Sequence, residues 1–145
     1  MISGITKYDD LVNLVMGEQL GEGIHRKVFA YSLDKKWVIK CAVECPNINV
    51  LEEEIWLMVK DTNIAKWFAP CGEISECGIF LLQNRVEKRS KAEYPKVVPA
   101  FFGDLKYNNF GWLNGQFVCC DYAGFISTSM VHQWKGKMKK AHFWE

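Results

Sequence analysis

The stretch of sequence that decides the fold is FGDLKYNNFGWLNGQFVCCD, residues 102–121. Its second half predicts two short strands, 109–113 and 116–120, joined by Asn114-Gly115. Asn-Gly is the preferred two-residue type I′ turn, because both of its central positions need a positive φ. A two-residue turn sets the strand register, which places Asn109 opposite Cys120. Asp121 is therefore expected beside Asn109, at the open end of the hairpin.

Four side chains of this stretch form a set with a definite chemistry. An aspartate such as Asp104 can orient an attacking hydroxyl and accept its proton, and a lysine such as Lys106 can stabilise the oxygens of a transferred phosphoryl group. Asn109 and Asp121 together offer hard oxygen ligands for Mg²⁺. The alternative is an Asx-rich loop that caps the hairpin, with Asp121 as a turn residue. The spacing and the hairpin register favour a site.

A glycine turn lies upstream, ahead of a strand that carries a lysine. Gly21 and Gly23 precede Val28, and Lys40 lies on the following predicted strand. Backbone N–H groups of a glycine turn can approach phosphate oxygens closely, because no Cβ intervenes. A lysine on the next strand can then reach the same phosphates. Taken alone, this pattern is more often a plain hairpin turn followed by a surface lysine.

A helix predicted over 47–60 carries three consecutive glutamates. The strand of Lys40 is rich in apolar residues, so its ammonium is expected to be buried and to need a carboxylate partner. Glu52 lies one helical turn before Ile55 and is predicted to be that partner, with Glu53 as the second choice. The alternative is a solvated acidic face near the start of the helix.

The other segments predict an α+β protein with one domain over 1–145. The patterns favour a short helix over 6–15, a hairpin of strands 27–33 and 36–43, and a strand pair 72–77 and 79–84 turned at Cys77-Gly78. Residues 85–99 are polar and predict a connector. The tail from Trp134 carries four lysines. There we expect a solvated helix face or a frayed end, and not a nucleic acid site.

Together these residues resemble the protein-kinase fold family, over about residues 16–124. The resemblance assigns each of them a role. The nucleotide-binding residues would be Gly21 and Gly23 of the glycine-rich loop, Val28, Lys40 of the third strand and Glu52 of the following helix. The catalytic residues would be Asp104 and Lys106, and the metal ligands Asn109 and Asp121.

The resemblance also implies an architecture. It is a minimal protein-kinase-like fold, with an N-terminal antiparallel sheet and one main helix over about 1–84. A strongly reduced C-terminal lobe would occupy 85–145. Residues 83–87 resemble the hinge that contacts adenine through backbone groups. The set is similar, too, to very small kinase-like proteins of bacterial viruses.

Departures from the family pattern narrow the expected function. Arg26 replaces the third glycine of the loop, so the loop is expected to lie farther from the phosphates or to contact them through Arg26. Phe102-Gly103 replaces the usual His-Arg, which removes the arginine that docks a phosphorylated activation loop. Only 16 residues separate Glu87 from Asp104, and 21 follow Gly124. The peptide-binding part of a kinase is therefore expected to be reduced.

The resemblance implies an ATP- and Mg²⁺-dependent phosphotransferase of Ser/Thr type. The alternative is a kinase-like binding module, or pseudokinase, that engages a host or partner protein without phosphorylating it. The reduced lobe and the exposed-looking tail aromatics Phe143 and Trp144 favour this alternative. The expected partners are ATP and a protein substrate or binding partner.

Composition excludes several other classes. The net charge of +1 provides no overall field for nucleic acid or anionic lipid. No apolar run approaches the ~18 residues of a membrane helix, and no signal peptide is evident, so we expect a cytoplasmic protein. Of the six cysteines, Cys41 and Cys45 fit the outer limit of one zinc-binding pair, but the others do not supply a second, so we expect reduced thiols.

Overall fold

The computed structural model describes residues 12–124, 128–142 and 144. Residues 12–15 are helical, and the rest of the predicted helix over 6–15 lies outside the described residues. The following elements are β1 (Met16–Glu22), β2 (Lys27–Tyr31), β3 (Trp37–Cys41), α1 (Pro46–Val59), β4 (Cys71–Ile74), β5 (Phe80–Asn84), β6 (Val97–Pro99), β7 (Phe110–Leu113), β8 (Gln116–Cys119), α2 (Thr128–Gln133) and β9 (Met138–Lys140).

The first five strands form one antiparallel sheet in the order β1-β2-β3-β5-β4. Pairing of β2 with β3 sets Val28 opposite Lys40, and pairing of β3 with β5 sets Lys40 opposite Leu81. Side chains alternate between the two faces of a strand, so Lys40 and Ile39 face opposite sides. The predicted α+β class and both predicted strand pairs are confirmed, although the observed strands are shorter than predicted.

Helix α1 follows β3 and begins at Pro46. Proline suits the first helical turn, because the N–H that it lacks would have no partner in the helix there. The buried face is formed by Asn49, Glu52, Ile55 and Val59. Its two polar members contact Lys40, while Ile55 and Val59 pack in the core. The helix predicted over 47–60 is confirmed to within one residue at each end.

The hairpin of β7 and β8 has the predicted turn and register. Asn114 and Gly115 have φ values of 51° and 79°, as a type I′ turn requires. Leu113 pairs with Gln116 next to the turn. At the open end, the amide of Cys120 donates to the carbonyl of Asn109 at 2.8 Å. Asp121 therefore leaves the hairpin beside Asn109.

Three predictions about the C-terminal half are wrong. The connector predicted over 85–99 contains β6, which pairs antiparallel with β9 in the lysine-rich tail. The tail is therefore a strand at 138–140, and neither a helix face nor a frayed end. Trp144 is also not an exposed tail aromatic, since its Nε1 donates to the carbonyl of Pro95 at 3.2 Å and its ring contacts Tyr94. Phe143 lies outside the described residues.

An aromatic core joins the sheet and α1 to the hairpin. Phe68 stacks on Phe101 and meets Tyr122 edge to face, with ring centroids 5.7 and 5.0 Å apart. The amide of Ala69 donates to the carbonyl of Cys119 at 2.8 Å. These contacts hold the end of β8, and with it Asp121, beside α1. The fully or nearly fully buried aromatic residues are Phe68, Tyr94, Phe101, Phe102, Phe110, Phe117 and Tyr122.

All six cysteines are free thiols. Among the residues described, no helix combines the length and the apolar character needed to cross a membrane.

Candidate functional site

Lys40 and Glu52 form a buried ion pair between β3 and α1. Lys40 is 4% exposed, and its ammonium donates to Oε1 of Glu52 and to the carbonyl oxygen of Cys120. The predicted pairing is therefore present with Glu52, whereas Glu53 is only half-buried. The carbonyl of Cys120 links this pair to the residue just before Asp121.

Glu52 is completely buried, and five donors surround its carboxylate. Besides Lys40 and Arg26, these donors are the side chain of Gln83 at 3.1 Å and the backbone amides of Tyr122 and Ala123 at 3.0 and 3.1 Å. Burial alone would raise the pKa of Glu52, but the charges of Lys40 and Arg26 outweigh it, so the pKa lies below its ordinary value. Glu52 is thus a charged group that ties α1 to the chain after β8.

Arg26 lies at the centre of the cluster, whereas the sequence predicted either a loop farther from the phosphates or a contact of Arg26 with them. Its NH2 group donates to Oε2 of Glu52 at 2.6 Å and to Oδ1 of Asp121 at 2.8 Å. Its NH1 group donates to Oδ1 of Asn49 at 3.0 Å. The guanidinium is therefore shared by a buried glutamate and an aspartate whose side chain is 49% exposed.

Asn49 holds three backbone carbonyls with one amide group. Its Nδ2 lies 2.9–3.0 Å from the carbonyl oxygens of Lys40, Gly78 and Ile79. The sequence was not used to predict a structural role for Asn49 or for the side chain of Gln83. The burial of Asn49 beside Glu52 could have been predicted, because a residue three positions before Glu52 lies on the same helix face.

Asp104 and Asn109 are held together in the loop before β7. The amide Nδ2 of Asn109 donates to the backbone oxygen and to Oδ2 of Asp104, both at 3.2 Å. Lys106 reaches Oδ2 of Asp104 at 3.7 Å. This loop is also capped by the ammonium of Lys88, which donates to the carbonyl oxygens of Tyr107, Asn108 and Phe110.

Continuous contacts join this loop to the ion pair. The path runs from Asp104 to Asn109, through the backbone to Cys120, and from there to Lys40. The structure therefore brings all of the predicted polar side chains to one side of the sheet. They are Lys40, Glu52, Asp104, Lys106, Asn109 and Asp121.

The glycine turn connects β1 to β2, and Arg26 at the end of this connection belongs to the cluster. Gly21 pairs with Val28, and the amide of Gly23 donates to the carbonyl of Arg26 at 2.9 Å. Among the described residues, a Cβ placed on Gly21 would meet no atom within 4 Å, and one on Gly23 would meet only the oxygen of Arg26 at 3.8 Å. Both positions have space beside them that the described residues do not fill.

The segment predicted to be the hinge is engaged by the rest of the chain. The backbone amides of Asn84 and Arg85 already donate to the carbonyls of Pro70 and Lys36. Glu87 exchanges two hydrogen bonds of 2.8 Å with Trp112 of β7. A Cβ on Gly111 would lie 2.5 Å from Cγ2 of Val86, so the segment packs closely against β7. The side chain of Gln83 is directed to Glu52.

The donor chemistry of Asp121 and Asn109 fits a hard divalent cation. Asn109 uses its NH2 group on Asp104, which leaves its carbonyl oxygen for a metal. Asp121 has one oxygen on Arg26 and a second for a ligand. In the part of the chain that the structure describes, no three His, Cys, Asp or Glu side chains cluster as a metal site. Any cation here would thus rely on Asp121, the Asn109 amide, water and a bound ligand.

A cavity of about 890 Å³ lies beside the glycine turn and the outer face of the sheet. Phe29 and Cys41 line it, and they alternate with Val28 and Lys40 along their strands, so this part of the cavity lies on the face opposite Lys40. Gly23 and Arg26 also line it, so the cavity reaches the polar cluster at Arg26. The hydrogen-bonded side chains of the cluster carry the candidate chemistry.

Comparison with protein-family models, with curated proteins and with solved structures found no match to this chain.

Proposed function

We propose that the chain is an ATP- and Mg²⁺-dependent phosphotransferase of protein-kinase type, reduced in size and with Ser/Thr-like chemistry. The observation that carries this proposal is the single contact path from Asp104 through Asn109 and Cys120 to Lys40 and Glu52. The path unites residues from β3, α1, the loop before β7 and the end of β8.

The resemblance gives each residue a role, and its contacts are compatible with that role. Lys40 is held by Glu52 and serves as the phosphate anchor, while Asp104 accepts the proton of the attacking hydroxyl. Lys106, next to Asp104, stabilises the oxygens of the transferred group. Asn109 and Asp121 are the residues that would hold Mg²⁺, which when bound neutralises phosphate charge.

The burial of charge supports a functional role for the cluster. Removing Lys40, Arg26 and Glu52 from water costs free energy. In buried ion pairs this cost can exceed the free energy gained from the attraction between the charges. A well-packed apolar cluster of the same volume is often as stable or more stable. Charged groups kept together in a protein of this size therefore favour binding or catalysis over simple packing.

The glycine turn supports the same proposal. Neither Gly21 nor Gly23 has a positive φ, and their neighbours in the described structure leave space for a side chain. The backbone angles and the described neighbours therefore do not require glycine at either position. Close approach of phosphate oxygens to the backbone does give one.

Thermal unfolding with and without nucleotide tests the proposal. ATP with Mg²⁺ is expected to raise the Tm of the wild-type protein, by a stabilisation of about 2.7 kcal/mol at a concentration of 100 times Kd. Asp121→Asn should fold normally and lose the Mg²⁺-dependent part of this rise. Asp61→Asn, an exposed residue just beyond α1, is the matched control and should behave as wild type. Absence of any rise in Tm with ATP and Mg²⁺ in the wild-type protein contradicts the proposal.

Phosphate transfer is then measured directly. The wild-type protein should transfer the γ-phosphate of labelled ATP to itself or to an added protein, and Asp104→Asn should reduce the rate by at least about 100-fold. Lys36→Gln, which removes an exposed charge on the β2–β3 turn, should leave the rate unchanged.

A second candidate function is the kinase-like binding module that does not transfer phosphate. The engaged hinge favours it, because the amides of Asn84, Arg85 and Glu87 are already used by Pro70, Lys36 and Trp112. Under this candidate, ATP would leave the Tm unchanged, and no label would be transferred. The charged cluster would then only fix the surface on which a partner protein docks.

A further inference from the structure

Arg26 already places a positive charge beside Asp121, the predicted metal ligand. Its NH2 group lies 2.8 Å from Oδ1 of Asp121, and Arg26 is buried, with a relative exposure of 7%. Asp121 is half-exposed and so remains reachable from solvent. A cation from solution would therefore approach a carboxylate whose inner side already has a cationic partner.

The charges of the cluster balance without any added ion. Lys40 and Arg26 are the cations, and Glu52 and Asp121 are the anions that contact them. A divalent cation on Asp121 would lie beside the guanidinium, and the two positive charges would repel each other at short range. Arg26 and the cation therefore compete for one carboxylate.

Only one of the contacts of Arg26 has to break for this exchange. The bonds to Asn49 and Glu52 reach inward, to α1, whereas the bond to Asp121 reaches the exposed side of the cluster. A guanidinium that gives up Asp121 can stay anchored to α1. Its N–H donors would then be available beside the glycine turn, whose Gly23 lies three residues earlier in the chain.

We propose that Arg26 and a divalent cation bind Asp121 in alternation, so that Arg26 sets the affinity of the site for its metal. With the cation absent, Arg26 neutralises the charge of Asp121. Binding of the cation moves Arg26 from Asp121 toward the glycine turn, where the proposed function places the phosphates. This inference rests on the metal role of Asp121 in the proposed function, but it concerns the metal alone and requires no phosphate transfer.

Binding of Mn²⁺ to the nucleotide-free protein tests the exchange. The free metal is measured by its paramagnetic resonance signal, on the wild-type chain, on Arg26→Gln and on Lys35→Gln. The last variant removes the same charge from an exposed position in the β2–β3 turn. Arg26→Gln is expected to bind one Mn²⁺ at least about tenfold more tightly than wild type, since one competing charge has been removed. Lys35→Gln should match wild type.

Adding Asp121→Asn to Arg26→Gln should abolish the gain in affinity. Equal Mn²⁺ affinity of Arg26→Gln and Lys35→Gln overturns the proposal, as does a gain that survives Asp121→Asn. The outcome is separate from that of the proposed function, because no nucleotide is present. Failure of ATP to raise the Tm would reject the proposed phosphotransferase function. The Mn²⁺ result would still test the exchange at Asp121 independently.

A second measurement covers the case in which Arg26→Gln does not fold. Guanidinium resonances of Arg26 in the ¹⁵N-labelled wild-type protein should shift, and their protons should exchange faster, when Mg²⁺ saturates the protein. Asp121→Asn should show similar resonances without metal. Arg26 signals that do not change at saturating Mg²⁺ overturn the proposal.

Discussion

The backbone amide of Tyr122 donates a hydrogen bond of 3.0 Å to Oε2 of Glu52, although the two residues lie 70 positions apart in the chain. The next amide, that of Ala123, donates to the same oxygen at 3.1 Å. One buried carboxylate thus receives the charged side chains of Lys40 in β3 and of Arg26 just before β2, together with the backbone that follows β8. The relative position of Lys40 and Asp121 depends on this carboxylate.

Glu52→Gln is therefore expected to destabilise the protein strongly. The substitution keeps the size of the side chain but leaves Lys40 and Arg26 without their shared counter-charge, and its new NH2 group opposes the N–H donors around it. Loss of one partner of a buried ion pair costs about 3–5 kcal/mol. Urea unfolding measures the change. Glu53→Gln, one residue along the same helix, should stay within about 0.5 kcal/mol of wild type.

The stability of the wild-type protein should depend on pH through Glu52. Its pKa is lowered in the folded state from an ordinary value of 4.5, so the unfolded chain binds the proton more readily. The stabilisation is therefore complete above about pH 4.5 and is lost as the pH falls toward the folded-state pKa. Unfolding free energies measured from pH 7 to pH 3 should bring wild type and Glu52→Gln closer together at the acid end. A constant difference over this range contradicts the prediction.

Gly21→Ala should separate binding from folding. Space beside Gly21 and its ordinary φ predict a change in unfolding free energy within about 0.5 kcal/mol. If phosphates approach this backbone, the added methyl group should weaken the ATP-induced rise in Tm. Equal responses of Gly21→Ala and wild type to ATP would remove the glycine turn from the binding site.

Gly115→Ala provides the contrasting case, because here the backbone itself requires glycine. Its φ is 79°, in the left-handed region, and we expect a loss of about 1–2 kcal/mol of stability in urea unfolding. The mutation lies at the turn, far along the hairpin from Asp121, so any remaining ATP response should keep its Mg²⁺ dependence. A variant as stable as wild type would contradict the assigned type I′ turn.

The six thiols should react in an order set by their burial. Cys77 is exposed, and hydrogen bonding from the backbone of Ile79 and from Ser75 lowers its pKa, so it should react first with Ellman's reagent. Burial raises the pKa of Cys71 to about 11 and that of Cys119 well above its ordinary range. These two should react only on unfolding. Cys77→Ser should lack the fast phase, and mass spectrometry of the labelled peptides identifies each site.

Local sequence was enough to predict the elements whose interactions are short-range. The Asn114-Gly115 turn has its own backbone preference, and the register of β7 and β8 follows from the turn length alone. The period of buried residues likewise predicted α1, and with it the choice of Glu52 as the partner of Lys40. Each of these predictions required comparison of residues within one element or between neighbouring elements.

Strand pairings and contacts between segments distant in the chain could not be predicted in this way. β6 has only three residues and is stabilised by β9, some 40 positions later, so neither strand has a strong pattern of its own. Trp144 was interpreted as an exposed tail residue because nothing nearby in the chain indicates its contact with Pro95 and Tyr94. The engaged hinge is similar, since its partners belong to β7, to the β2–β3 turn and to Pro70 just before β4.

By itself, the sequence determined which chemical groups this protein has for the proposed phosphate site, and which turn and helix carry them. Tertiary structure alone decided how those groups are shared, and it made Arg26 the common partner of Glu52 and Asp121. The physical reason is that a buried charge must find its counter-charges wherever the packed chain brings them. A guanidinium with five N–H donors can meet several acceptors at once, and only the folded geometry specifies which ones they are.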